Sequence, residues 1–168
     1  TSAPIADPVI LDISGGVVTN AVPGEAWAIV RGNADVLPAV ERITVADAGD
    51  DTVRIEAVGV NAHAAWPERG ISAIMLLANY LLENDLCNQQ ERSFLELVRS
   101  LTSDTTGAGV GIASADEYFG PLTVVGGTIR KEGDCLVQTM DSRWPTSITA
   151  EEITAALTKL TDDIGAAF

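Results

Sequence analysis

Histidine is almost missing from this sequence: His63 is the only one in 168 residues. A self-contained zinc hydrolase usually draws two or more histidines into its metal shell, and no HExxH or CxxC element is present to compensate. Cysteine is scarce as well. Cys87 and Cys135 lie far apart without metal-ligand spacing, which fits free thiols in a reducing, cytoplasmic compartment better than a disulfide framework. Basic side chains are few, 10 Lys and Arg against 24 Asp and Glu, for a formal charge of -14. Such a surface repels a polyanion, so nucleic acid is not an expected partner. No apolar run approaches the roughly 18 residues that cross a bilayer, and the opening TSAPIADPVILD has no basic leader, so no membrane partner is expected either.

What is abundant is hydrophobic content, 46% of residues, enough to bury a substantial core in one domain spanning 1–168. A division into subdomains 9–83 and 84–168 is an alternative. It is raised by a loose similarity between SGGVVTNAVPGEA and VGGTIRKEGDC, each with a strand, a double glycine and a turn. Residues 9 to 31 mix β-branched and apolar residues around Gly15-Gly16 and a Val22-Pro23-Gly24 turn, which reads as a two-stranded hairpin. A short helix is expected over 33–42, with Pro38 in its first turn. Residues 52 to 60 alternate as a strand, with Val53, Ile55 and Ala57 inward.

Ile71, Ile74, Met75, Ala78, Leu81 and Leu82 then recur at helical spacing, predicting an amphipathic helix over 71–83. Phe94, Leu95, Val98 and Leu101 mark a second over 89–101. Residues 122–130 and 135–143 flank the turn KEGD as a β-hairpin. Thr149 with Glu152 forms a capping box that opens a last helix. The order implies an α+β fold, a mainly antiparallel sheet with helices on one face.

Three side chains could carry chemistry. His63 lies within the stretch GVNAHAAWPERG, where small neighbours leave the imidazole uncovered and Pro67 and Gly70 set a tight entry into the next helix; a lone histidine at a strand end is otherwise a surface or structural residue. Arg143 ends a strand just before Trp144-Pro145, which fixes where its planar fork leaves the sheet and suits a carboxylate ligand; an ion pair with Asp141 or another acid is the competing reading. Asn20 precedes a Pro-Gly turn, and either serves that turn or presents its amide to a ligand. The GAGVG at 107–111 lacks the context of a nucleotide loop and reads as a flexible connection. The pairs Asp50-Asp51, Glu151-Glu152 and Asp162-Asp163 read as solvated turns and helix ends.

The segment GVNAHAAWPERGISAIMLLANYL resembles the strand, histidine, Pro-Glu-x-Gly turn and helix of the lid or dimerisation domain of M20 family metallopeptidases. VTNAVPGEA, GVGIASADEYFGPLTVVGGTIR and LVQTMDSRWP are similar, in the same order, to elements of that family's PepV-type and carnosinase-like dipeptidases. The resemblance implies a ferredoxin-like lid that closes over a short peptide. It implies that His63 stabilises the oxyanion, Arg143 grips the substrate's C-terminal carboxylate and Asn20 contacts substrate. Two zinc ions would sit in a separate catalytic domain of the same parent protein, so this chain carries no cofactor of its own and is expected to be inactive alone. The metal-binding half has no counterpart here, and the abrupt ends without an initiator Met fit a lid cut from a longer chain. Trp66 and Trp144 are bulkier than the family pattern. The rival expectation is a stand-alone α+β domain that binds a small ligand or dimerises.

Overall fold

The computed structural model describes residues 1–168. The chain forms strands β1 (Ile10–Gly15), β2 (Ala21–Val22), β3 (Glu25–Arg31), β4 (Ile43–Gly49), β5 (Thr52–Val58) and β6 (Ala62–His63), then helices α1 (Ala73–Glu83) and α2 (Gln89–Thr102). Short strands β7 (Ala115–Asp116), β8 (Gly120–Pro121), β9 (Thr123–Val125), β10 (Ile129–Glu132), β11 (Cys135–Gln138) and β12 (Asp141–Arg143) precede helix α3 (Ala150–Asp162). This is the expected α+β fold: a six-stranded antiparallel sheet in the order β11-β10-β1-β3-β5-β4, with α1 and α2 packed on one face.

Alternation along the central strands makes that face. Ala26, Ala28 and Val30 of β3 pair with Ala57, Ile55 and Val53 of β5, and all six are buried. They meet Ile74, Leu77 and Leu81 of α1 and Phe94, Leu95 and Val98 of α2 in a core cluster of 22 residues. In β1 the buried apolar side chains are Ile10 and Ile13, three apart, because a bulge between Ile10 and Asp12 shifts the register. The amides near that bulge find an acceptor in Glu91, which is 0% exposed. Its carboxylate accepts from Ile10 (2.9 Å) and Val9 (3.2 Å), and from Asn88 (2.7 Å) within the capping box that opens α2.

A second cluster, of seven residues, joins Leu101, Val110, Ile112, Leu122 and Val124 to Ile153 and Leu157 of α3. A third, of only Val22, Ala64 and Val125 with Ala62 against it, ties two short ribbons together. The double glycines singled out in the sequence meet each other beside it. A side chain at Gly16, whose φ is +72°, would run into the Gly127 carbonyl, so these backbones approach closely only because both are glycine. Both cysteines are free, and no helix is long and apolar enough to cross a membrane.

Two local expectations need correction, and one strand lies where none was expected. The helix expected over 33–42 is a single 3₁₀ turn, Ala34–Val36, capped by Asn33; Leu37, before Pro38, is extended (φ -88°, ψ 134°) as a pre-proline residue prefers. Residues 43–49 form an edge strand that the polar stretch ITVADAG does not announce. The predicted KEGD hairpin exists but divides: β10 and β11 join the main sheet, while β9 and β12 beyond Gly126-Gly127 pair as a separate ribbon.

Candidate functional site

His63 lies on an excursion between the end of β5 and the start of α1. Its neck is closed by Val60 and Ile71, whose amides and carbonyls bond to each other at 2.8 and 2.9 Å. Inside the neck, β6 pairs with β2, placing His63 opposite Ala21 and Ala62 opposite Val22. Pro23 and Gly24 anchor β2: the Pro23 carbonyl accepts from Ala73 at the head of α1, and the Gly24 amide donates to the Asn61 side chain, both at 2.8 Å. The Asn20 carbonyl accepts from Ala64 at 3.1 Å, a bond across to the strand that carries His63. Asn20 and His63 are thus brought to one ribbon, and both side chains are exposed.

The His63 ring is held from its own turn. Nδ1 accepts the Ala65 amide at 3.0 Å, and the Trp66 amide donates to the His63 carbonyl at 2.9 Å. The Trp66 ring stands 6.1 Å from the imidazole at 51°, and the Arg69 guanidinium lies 5.3 Å over the indole. Trp66 remains 54% exposed, so the indole forms an open wall beside His63.

Arg143 sits on the other ribbon, where it pairs with Thr123, Ser142 pairs with Val124 and Asp141 with Val125. Opposed residues in an antiparallel pair share a face. Val124 faces the α3 cluster, whereas Val125 packs on Val22 and Ala64. Arg143 therefore occupies the face turned toward the His63 ribbon. His63 alternates away from Ala62 and Ala64 and points outward from the apolar seam, and no hydrogen bond joins it to Arg143. The ion pair considered from sequence does not form. None of the six ion pairs includes Arg143, although it is half-buried in a chain of net charge -14.

Two carboxylates that the sequence reading passed over organise turns in this part of the chain, and one of them reaches the segment after Arg143. Asp116, in the tight β7–β8 hairpin, accepts the amides of Phe119 (2.7 Å) and Tyr118 (2.9 Å), and its other oxygen takes the amide (2.8 Å) and hydroxyl (2.9 Å) of Thr146. These bonds, the Phe119 amide foremost, hold its carboxyl below the usual range. They tie an exposed aromatic tip, Tyr118 and Phe119, to the segment that follows Arg143 and Trp144. At Asp104, burial pushes the carboxyl up, but donation from the Gly109, Thr106 and Ala108 amides and the Thr106 hydroxyl outweighs it and leaves it lowered. Its bonds wrap GAGVG into a 3₁₀ turn between two left-handed glycines, so this connection is a built turn and not the flexible one expected. Asp116 was detectable as an acid two and three residues before the amides it caps.

No three His, Cys, Asp or Glu side chains converge to hold a metal ion. Three buried side-chain oxygens on the β9–β12 ribbon, those of Thr123, Asp141 and Ser142, have no hydrogen-bond partner. They mark it as the least satisfied part of the fold.

No family model matches the chain. Over 153 residues it is 29% identical to a Bacillus subtilis (strain 168) protein named "Putative dipeptidase YtjP". The match takes in 85% of this chain and 33% of that protein, so the chain spans about a third of the length of its relative.

Proposed function

We propose that this chain is the lid domain of a zinc-dependent dipeptidase of the M20 metallopeptidase type. The observation that carries the reading is the arrangement of the two ribbons: Asn20 and His63 exposed on one, an unpaired Arg143 on the facing side of the other, and a small apolar seam between them. A relative whose name says dipeptidase, matched over a third of its length, supports a domain of such an enzyme. In this reading Arg143 holds the free carboxylate of a short peptide by bidentate hydrogen bonds, which its lack of an internal acid partner leaves it able to do. Asn20 adds a polar contact beside it. His63 donates from Nε2 to the carbonyl oxygen as it gains negative charge. Zinc held by residues outside this chain would supply the activated water.

The test is an assay of the longer protein on free dipeptides, with and without a chelator, and on the same dipeptides carrying a C-terminal amide. Arg143→Gln should raise KM for the free dipeptide at least tenfold, the loss of roughly 1.5 to 3 kcal/mol expected of a charged hydrogen bond. It should change KM for the amide little. Equal KM changes for both substrates would remove Arg143 from carboxylate binding. A second reading, a stand-alone small-ligand-binding or dimerising domain, has the open edge of β4 in its favour. It predicts a stable dimer or carboxylate binding by the 168-residue chain alone, where the lid reading predicts neither hydrolysis nor appreciable peptide affinity.

A further inference from the structure

A histidine offered to solvent on a strand end can act as donor, acceptor or metal ligand, according to which ring nitrogen is free and protonated. Here that choice is made by the chain itself. The Ala65 amide can only donate, and it lies 3.0 Å from His63 Nδ1; a backbone amide cannot bond to a protonated Nδ1, so the contact selects the neutral ring with its proton on Nε2. The ring is held from further points. The Trp66 amide on the His63 carbonyl closes the turn, the Asn20 carbonyl fixes the next residue, Ala64, from the facing strand, and the Trp66 indole flanks the imidazole. The 3₁₀ turn Pro67–Arg69 that follows is capped at Gly70, which packs on Val22 and Ala62 and allows no side chain there.

We propose that residues 63 to 66 form a turn, held in place by the facing strand, in which the Ala65 amide is the positioning group for His63, fixing it as a one-sided hydrogen-bond donor through Nε2 and withdrawing Nδ1 from proton acceptance and metal binding. As a statement about catalysis this rests on the lid reading, because it makes His63 an electrophilic donor and excludes a general-base role at Nδ1. As a statement about the turn it stands by itself. The Nε2–H is then left free for an acceptor, with the exposed Trp66 indole beside the ring. The donor meets its acceptor without reorienting, as a preorganised oxyanion site requires.

His63 is the only histidine, so selective ¹⁵N labelling of histidine in the 168-residue chain gives the spectrum of this one ring. The readouts are the protonation of each ring nitrogen from long-range ¹H–¹⁵N correlation and the nitrogen–nitrogen coupling across the Ala65 to His63 hydrogen bond. A peptide of residues 59–70 serves as reference. The neutral ring in the folded chain should favour Nε2–H over Nδ1–H by a ratio up to roughly tenfold above that in the peptide, the shift that one net hydrogen bond gives, and the coupling should be present. Ala65→Pro, which deletes the donor, should abolish the coupling and return the ratio to the peptide value. If that variant does not fold, the comparison of chain with peptide decides alone. A peptide-like ratio without coupling, or a proton on Nδ1, overturns the proposal. If the tautomer is fixed but the longer protein hydrolyses no dipeptide, the lid reading fails and the turn survives; a mixed tautomer alongside normal hydrolysis does the reverse.

Discussion

The six-stranded sheet with α1 and α2 and the smaller assembly of two ribbons with α3 differ in almost every term that sets stability. The first buries 22 core residues in one cluster, and even its buried carboxylate, Glu91, has three backbone donors. The second shares its apolar residues between clusters of seven and three, uses strands of two or three residues, and leaves three buried oxygens without partners, against one, Gln138 Oε1, in the first. All three candidate residues belong to the second region or to the seam it shares with the loop before α1. Under the proposed lid reading, a well-packed platform that carries a weakly secured surface is the arrangement expected where that surface must adjust on closing over a ligand.

The largest effect that would break this contrast is expected at Leu95, fully buried against the sheet. Leu95→Ala should cost about 2 to 5 kcal/mol and lower hydrogen-exchange protection throughout the molecule. Leu157→Ala, in the smaller cluster, should cost about 2 kcal/mol and raise exchange in α3 and the β9–β12 ribbon while β3, β5 and α1 stay protected. Equal loss of protection in both regions for both variants would mean a single cooperative unit. The smallest effect concerns Asp116. Its carboxyl is lowered in the folded chain, so its contribution is present above the ordinary carboxylate value of about 4 and is lost as pH falls through the lower, folded value. Acidification below about pH 4 should therefore lower the protection of the Phe119 and Thr146 amides, relative to their intrinsic exchange, before that of the core, and Asp116→Asn should flatten that pH dependence. Unchanged pH dependence in the variant would remove Asp116 as the tie between the hairpin and the Arg143 segment.

The same contrast governs what was legible in the sequence. α1, α2, α3 and the alternation of Val53, Ile55 and Ala57 declare themselves because each runs long enough for its period to show, and the Thr149–Glu152 capping box appears as read. β2, β6, β9 and β12 are too short to carry a period; they form because Pro23, Gly24, Gly70 and the two double glycines let backbones approach. β9 and β12 lie inside the strands read at 122–130 and 135–143, and what stayed hidden is that they leave the main sheet; nothing local distinguishes β2 and β6 from loops. For β4 the charged and small residues of ITVADAG hide an edge strand, since one side needs no hydrophobic partner. For the site, the residue types of Asn20, His63 and Arg143 were visible. Their grouping depends on pairing between segments more than 40 residues apart, as at Ala21 and His63, and the Ala65 contact depends on backbone geometry that alanine does not signal.

The central claim is that His63 on this small ribbon stabilises charge developing on a substrate held elsewhere. Its most direct test is the turnover of the longer protein with His63→Ala, measured on a dipeptide it hydrolyses, with folding checked by the unchanged protection of the main sheet. A fall in kcat of roughly 100- to 1000-fold with KM little altered is expected, the loss typical of one oxyanion donor. A kcat within about twofold of the parent would contradict it.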